Sequence, residues 1–332
     1  MGSHVVRELR QARYGVVVLD NLQKGHRAAV ADAEFVLGDI ADQDLVNKTV
    51  TRYGIEAVVH LAADSLVGES MQQPGKYFRH NVGKGAAFLE ALAEGGVKYF
   101  VFSSTAAVYG EPREIPITEE HPTRPTNVYG ATKLMIEEML RWYEHIYGLR
   151  WISLRYFNAA GADPSGLIGE DHHPETHLIP LVLQTALGKR PVLQIYGDDY
   201  PTPDGTCLRD YIHVTDLSTA HVLALEALAA GSPSAVYNLG NGNGFSVREV
   251  IRVAEQVVGR PIPVEVAARR AGDPAVLVAS SARIKAELNW RPRYNDLETI
   301  IRTAWAWHRQ HPDGFARIMN IDYSGARTIN GQ

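Results

Sequence analysis

The sequence predicts an α/β fold in which a doubly wound parallel sheet carries a second, smaller α/β lobe. Three observations predict it. Short, continuously apolar runs alternate with segments whose apolar residues recur at helical spacing, the pattern of buried parallel strands joined by crossover helices. Those runs end in acidic, small or hydroxyl residues such as Asp20, Ala62 and Thr105, where a sheet of this kind presents its ligand-binding edge. The chain is 332 residues long, beyond the size at which one core usually stops growing, so a second lobe is expected.

Taken in order, residues 3–11 read as an amphipathic helix and 15–20 as a buried strand ending in Asp20. A Rossmann-type dinucleotide-binding unit places a first strand and a glycine-rich turn ahead of such a helix, and the acid roughly 20 residues beyond the glycines. Here Gly2 alone stands where that turn would be, so the sheet is expected to lack its first strand. Asp20 stands where the acid should be, placed to accept hydrogen bonds from a ribose and to favour NAD over NADP, although a lone strand-terminal Asp is more often a turn former. Strands at 34–39, 56–63 and 98–104 alternate with helices at 43–53 and 74–94, the latter a single long helix carrying Asn81. A loop with Pro112, Pro116, Pro122 and Pro125 delivers a helix starting at Tyr129, and a strand at 150–157 leads into Asn158. Beyond Gly161 the loops lengthen, with helices expected at 178–187, 216–229, 247–258 and 297–310. Residues 1–160 are read as one domain, to which about 206–245 return, and 161–332 mainly as the other.

Composition excludes several classes of partner. Hydrophobic residues make up 45% and charged residues 21%, and the net charge of −5 offers no general attraction to nucleic acid. Cys207 is the only cysteine, which fits a reducing, cytoplasmic compartment, and no apolar run suits a membrane span or a signal peptide.

The sharpest chemical candidate is Tyr129 with Lys133, four residues apart and so on one helix face. An ammonium beside a phenol favours the phenolate and would bring the tyrosine from its ordinary value of about 10 toward the range of a general base. By itself such a spacing is more often surface packing.

With Thr105, Tyr129 and Lys133 placed, the chain resembles the extended short-chain dehydrogenase/reductase superfamily and, within it, the UDP-glucose (UDP-galactose) 4-epimerase family. The resemblance runs from Gly2 to about Gly314. It rests on residues 103–110 (Ser-Ser-Thr-Ala-Ala-Val-Tyr-Gly), 129–133 (Tyr-Gly-Ala-Thr-Lys) and 154–158 (Leu-Arg-Tyr-Phe-Asn). The most specific segments are 197–206 (Gly-Asp-Asp-Tyr-Pro-Thr-Pro-Asp-Gly-Thr) and 209–214 (Arg-Asp-Tyr-Ile-His-Val). It implies a Rossmann-type domain, tightly bound NAD and a UDP-sugar substrate. Tyr129 would take the proton of the sugar 4-hydroxyl, Lys133 would lower its pKa, and Thr105 would hydrogen-bond the same oxygen. A 4-keto sugar would then turn in the pocket and be reduced on its other face, leaving the cofactor unchanged.

Residue by residue, the resemblance makes Asp20 and Asn21 adenosine-ribose binders and sets Asp39 and Ile40 against the adenine. Leu61, Ala62 and Ala63 fall on the diphosphate side, Gly2 at the last glycine of the phosphate turn, Asn81 beside the cofactor and Tyr156 near the nicotinamide. On the substrate side it implicates Asn158, His177, Leu178, Gln194, Tyr196, Arg209, Arg270 and Asp273. Two arginines make physical sense there, since guanidinium groups bind a diphosphate without a metal. His172, His173 and His177 are read as solvated loop histidines and not as zinc ligands. Leu277 stands where some relatives carry a bulkier gating aromatic, which implies room for N-acetylated sugars; turnover of UDP-GlcNAc beside UDP-galactose tests it. Ala106 and Ala107 leave no acid where a 4,6-dehydratase or decarboxylase would need one, and a catalytically silent UDP-sugar binder is the alternative from another class. Relatives commonly pair through the helices matching 74–94 and 127–147, which implies a homodimer.

Overall fold

The computed structural model describes residues 1–30, 33–270 and 273–315. The first part runs α1 (Gly2–Gln11), β1 (Val17–Asp20), β2 (Glu34–Leu37), α2 (Gln43–Tyr53), β3 (Ala57–His60), α3 (Val67–Gln72), α4 (Pro74–Tyr77), α5 (Lys84–Glu94), β4 (Tyr99–Thr105), α6 (Val128–Tyr147) and β5 (Arg150–Tyr156). There follow β6 (Asn158–Ala160), α7 (Leu178–Ala186), β7 (Leu193–Tyr196), β8 (Leu208–Arg209), β9 (Tyr211–His213), α8 (Val214–Ala229) and β10 (Ala235–Leu239). The chain ends through β11 (Phe245–Ser246), α9 (Val247–Val258), β12 (Val264–Ala267), β13 (Val276–Leu277), α10 (Ala282–Glu287) and α11 (Leu297–Gln310).

The Rossmann-like core is parallel throughout, but it is divided. Strands β3, β4, β5 and β10 form one ladder in the order β10-β5-β4-β3, and among the described residues β1 pairs only with β2. Both groups share the same helical layers. Val16 of the β1 segment and Val59 of β3 pack with Val5 and Leu9 of α1 and Leu217 of α8, while Leu19 and Val58 pack on the other side with Val46 of α2 and Leu89 of α5. Strands β1 and β3 therefore lie in one layer with edges that no described strand pairs. Burial records the consequence: Phe100–Ser104 and Trp151–Arg155 are buried throughout, whereas in β1 no residue is and in β3 only His60. A central strand with one ladder edge unpaired cannot be covered as fully as its neighbours.

Several helices begin or end at local caps. Asp42 caps α2 by accepting from Leu45 N, and Gly54 closes it at φ 59°, which favours glycine. Ser246 and Glu249 form a capping box that starts α9. The expected single helix over 74–94 is instead α4, a π-helical turn over Phe78–Gly83, and α5. The physical reason is the buried Asn81, whose amide donates to Asp64 O and Thr132 Oγ1 and accepts from Asp64 N, ties that lie 17 and 51 residues away. Wide turns of this kind interrupt helices where a side chain has a non-local role.

A separate core cluster gathers Ile179, Val182 and Leu183 of α7, Val250 and Ile251 of α9, and Ile300 and Ile301 of α11. Short ladders, β7 with β12 and β8 with β11 and β13, border it. Among the described residues no helix is long and apolar enough to cross a membrane.

Beneath α6 lies a buried ion pair that sets the helix on the sheet. Glu137 receives Ser104 Oγ at 2.6 Å, Ser153 Oγ at 2.9 Å and Arg155 Nε at 3.0 Å, and Arg155 Nη2 at 2.5 Å closes the bidentate pair. Removing one partner of such a pair leaves an uncompensated buried charge. Glu137→Ala is thus expected to destabilise the fold by about 3–5 kcal/mol; urea unfolding checks this, and a loss under about 1 kcal/mol would contradict it.

Candidate active site

The site is assembled where α6 meets the end of β4. Asn127 starts α6 by accepting from Gly130 N at 2.8 Å. Gly130 is required by contact, since an added Cβ would lie 2.4 Å from the carbonyl oxygen of Ala107. The first turn of α6 is therefore pressed against the turn that follows Thr105. There Thr105 Oγ1 accepts from Ala107 N at 3.2 Å, and its hydroxyl lies beside the Tyr129 phenol, whose ionisation it favours. One turn along α6, Lys133 is 3% exposed, donates to the Ser103 carbonyl at 2.9 Å and sits 5.9 Å from the Tyr129 ring centre.

The electrostatics differ from the sequence expectation. Burial pushes the Tyr129 phenol up to about 12, against the Thr105 hydrogen bond that favours its ionisation. Burial likewise brings Lys133 down to about 8, with Glu137 acting the other way. Desolvation shifts both groups toward their neutral forms, leaving Lys133 an ammonium below about pH 8 and Tyr129 a phenol, and that ammonium lies over the ring, 5.9 Å from its centre. Lys133 alone does not make Tyr129 a phenolate. Tyr156 adjoins the pair: its hydroxyl bonds Ser103 Oγ and lies 3.2 Å from His221 Nε2, and burial pushes it well above the ordinary tyrosine range.

At the ends of β1 and β2, Asp20 accepts from Leu22 N at 2.7 Å. Asp39 takes Lys84 Nζ at 2.5 Å, Asn21 Nδ2 at 3.1 Å and Ala41 N at 3.0 Å, and these donors outweigh its burial and hold it below the usual carboxylate range. Ile40 packs beside Leu19 in the core under α2, Leu61 and Ala63 are half-buried, and Ala62 is exposed. Gly2 opens α1, and a Cβ there would meet nothing within 4 Å. The first turn of α1 has no side-chain cap.

A second group lies on the short ladders. Arg209 donates to Pro274 O at 2.8 Å and faces Asp273 at 3.6 Å. The Arg270 guanidinium stacks 3.9 Å from the centre of the Tyr196 ring, and Gln194 donates to Glu265 at 3.0 Å. Asn158 donates to Asp210 O at 2.9 Å, and half-buried Leu178 opens α7.

Comparison with known proteins decides the family. Residues 1–240 match the NAD dependent epimerase/dehydratase family. The chain is 55% identical to the UDP-glucose 4-epimerase of Halalkalibacterium halodurans, over 95% of each chain. It superposes with a TM-score of 0.90 on UDP-glucose 4-epimerase from Brucella ovis in complex with NAD, at 49% identity over 92% of this chain and 94% of that one. The enzyme from Bifidobacterium longum in complex with NAD+ and UDP gives 0.89, at 37% identity over 94% and 96%. The chain belongs to the UDP-glucose 4-epimerase family. It is accordingly an enzyme of an NAD-dependent family with the Rossmann-like fold expected from its strand order.

Within this UDP-glucose 4-epimerase family member, some predicted residues are apart from the rest. His177 stands with Glu170, His172 and Glu175, one ligand-type atom from each lying within 4.8 Å of the others. Burial works to lower His177, yet Glu170 and Glu175 hold it up at about 10. Glu170 is held well below the usual carboxylate range by His172 and His177 despite its burial. The reading of these histidines as merely solvated is therefore corrected, because the carboxylates that gather them come from the same loop. Sequence reasoning also missed Glu137 and Lys84. Glu137 repeats the Tyr129–Lys133 spacing once more, and an acid on the apolar face of a helix was the available signal. Lys84 had none, since its partner Asp39 is 45 residues away.

Proposed function

We propose that this chain catalyses the reversible 4-epimerisation of UDP-galactose and UDP-glucose with tightly bound NAD. The observation that carries the reading is the Thr105 hydroxyl beside the Tyr129 phenol, next to the buried Lys133, at the carboxyl end of β4. Bound NAD supplies the oxidant that takes hydride from sugar C4 and gives it back. Tyr129 holds and moves the proton of the 4-hydroxyl, and Thr105 orients that hydroxyl. With burial pushing Tyr129 to about 12, the positive nicotinamide is the charge needed besides Lys133 to bring the phenol into working range. Asp20 and Asn21 suit the adenosine ribose, Asp39 and Ile40 the adenine, and Tyr156 the nicotinamide end; buried Asn81 positions the loop carrying Asp64. Leu61, Ala62, Ala63 and Gly2 leave room for the diphosphate, and the uncapped first turn of α1 offers it amide donors. Arg209 and Arg270 suit the diphosphate of the UDP-sugar, Tyr196 its base, and Asp273, Gln194, Asn158, Leu178 and His177 the surrounding wall. In this reading NAD is held by 1–160 and the return at about 206–245, where β10 pairs with β5, and the UDP-sugar mainly by 161–332.

One observation favours a second reading, a UDP-sugar binder that holds NAD poorly: among the described residues no strand pairs the edges of β1 and β3 beside α1. The test is absorbance and fluorescence of the purified chain for NAD(H), followed by conversion of UDP-galactose to UDP-glucose after reconstitution with NAD. Folded protein that takes up no NAD and turns over no sugar overturns the enzymatic reading.

The outer face of α6 supports a homodimer. Trp142 and Ile146 are four apart and 65% and 63% exposed, with Met135 two turns earlier at 43%. An exposed apolar stripe of this kind marks a contact surface. Sedimentation is expected to give twice the chain mass, and a monomer at micromolar concentration would contradict it. The single cysteine supports a cytoplasmic location.

A further inference from the structure

We propose that Glu170, His172, Glu175 and His177 form a binding site for one divalent transition-metal ion of the zinc class. The donor set carries the identification. Two imidazole nitrogens and two carboxylates suit zinc and its neighbours far better than calcium or magnesium, which require shells made of oxygen. A tetrahedral ion with ligand bonds of about 2.0–2.1 Å spaces its donors about 3.3–3.4 Å apart. Here the His172 Nδ1 to Glu170 and Glu175 distances are 3.2 and 3.8 Å, and those from His177 Nδ1 are 2.8 and 3.0 Å, values that bracket that edge. His172 faces one carboxylate oxygen of Glu175 and His177 the other, and one ligand-type atom from each of the four residues lies within 4.8 Å of the rest, close enough for a single ion to draw them together.

The carboxylates are held in place before any ion arrives. Glu175 is fixed by the amides of Thr176 and His177, which donate to it at 2.7 and 2.8 Å. Glu170 follows Gly169, where an added Cβ would lie 2.1 Å from the Trp307 ring, so the backbone rests flat on a fully buried indole. Trp307 Nε1 also donates to Glu170 O at 3.2 Å. Ligands locked by their own anchors lose less freedom on coordination. The same loop is gripped from two sides. Lys24 donates to His173 O at 2.9 Å and His26 meets Asp171 at 3.1 Å from the β1 side, while Trp307 holds it from α11. An ion at this point would lock the 170–177 loop in the shape that Lys24, His26 and Trp307 already grip.

The test uses the full chain without an affinity tag, dialysed free of metal. Equilibrium dialysis against Zn²⁺ with elemental analysis is expected to give one bound equivalent, and Co²⁺ in its place the intense visible absorption of a tetrahedral site. His172→Asn, at an exposed position, and Glu175→Gln should each weaken binding by at least the ~10- to 100-fold that loss of an outer partner costs. No binding at micromolar Zn²⁺, or binding that either variant leaves unchanged, overturns the proposal in favour of a metal-free ion-pair cluster.

Discussion

Tyr129→Phe is expected to lower kcat for the interconversion of UDP-galactose and UDP-glucose by about 10²- to 10⁴-fold, the range that a positioned general acid or base supplies. The substitution removes only the hydroxyl that meets Thr105, and Thr105 keeps its bond from Ala107 N. The ring and its contact with Lys133 remain. Stability should therefore change by about 1 kcal/mol or less, the net worth of one hydrogen bond, and KM should move little, because the lost interaction matters mainly when the proton moves. Steady-state kinetics with thermal unfolding of the same samples checks both. Full activity in this variant would defeat the assignment of Tyr129 as the base.

Lys133→Met is expected to do two things that a structural lysine would not do together: abolish most activity and stabilise the fold near neutral pH. The sign follows from burial. The folded pKa of Lys133, about 8, is depressed from the ordinary 10.5, so between these values the unfolded chain binds more protons. Stability then rises with pH through that window, and below about pH 8 the folded state bears the full cost of a buried ammonium. That cost is on the order of 1–3 kcal/mol. It is partly offset by the bond to Ser103 O and the attraction of Glu137, which the variant also loses. A net gain of about 1–2 kcal/mol at pH 7, shrinking toward pH 10, is the expected result in urea unfolding. A variant less stable than the parent at pH 7 would show that the ammonium is a net support for the fold.

The parts of the fold legible in the sequence are those set by neighbours along the chain. The boundaries of α2, α9 and α11 match expectation because Asp42, Ser246 and Asp296 cap them locally. The run 74–94 is divided, against its periodicity, because Asn81 answers to Asp64 and Thr132, and no periodicity encodes a distant hydrogen bond. Helix α6 shows both cases. Its spacing aligns Tyr129 and Lys133, while the placement of Thr105 beside them depends on Gly130 closing against Ala107.

By itself the sequence determined the alternation of strands and helices, the helix face shared by Tyr129 and Lys133, and the acids at the ends of β1 and β2. These follow from residue period and local capping, which act over a few positions. Tertiary structure alone decided that Tyr129 and Lys133 resist ionisation, that β1 and β3 share a layer without pairing, and that two histidines and two glutamates of one loop converge. Desolvation, ladder pairing and the folding of a loop onto Trp307 each depend on which distant groups arrive beside a residue, and that is settled only when the chain has packed.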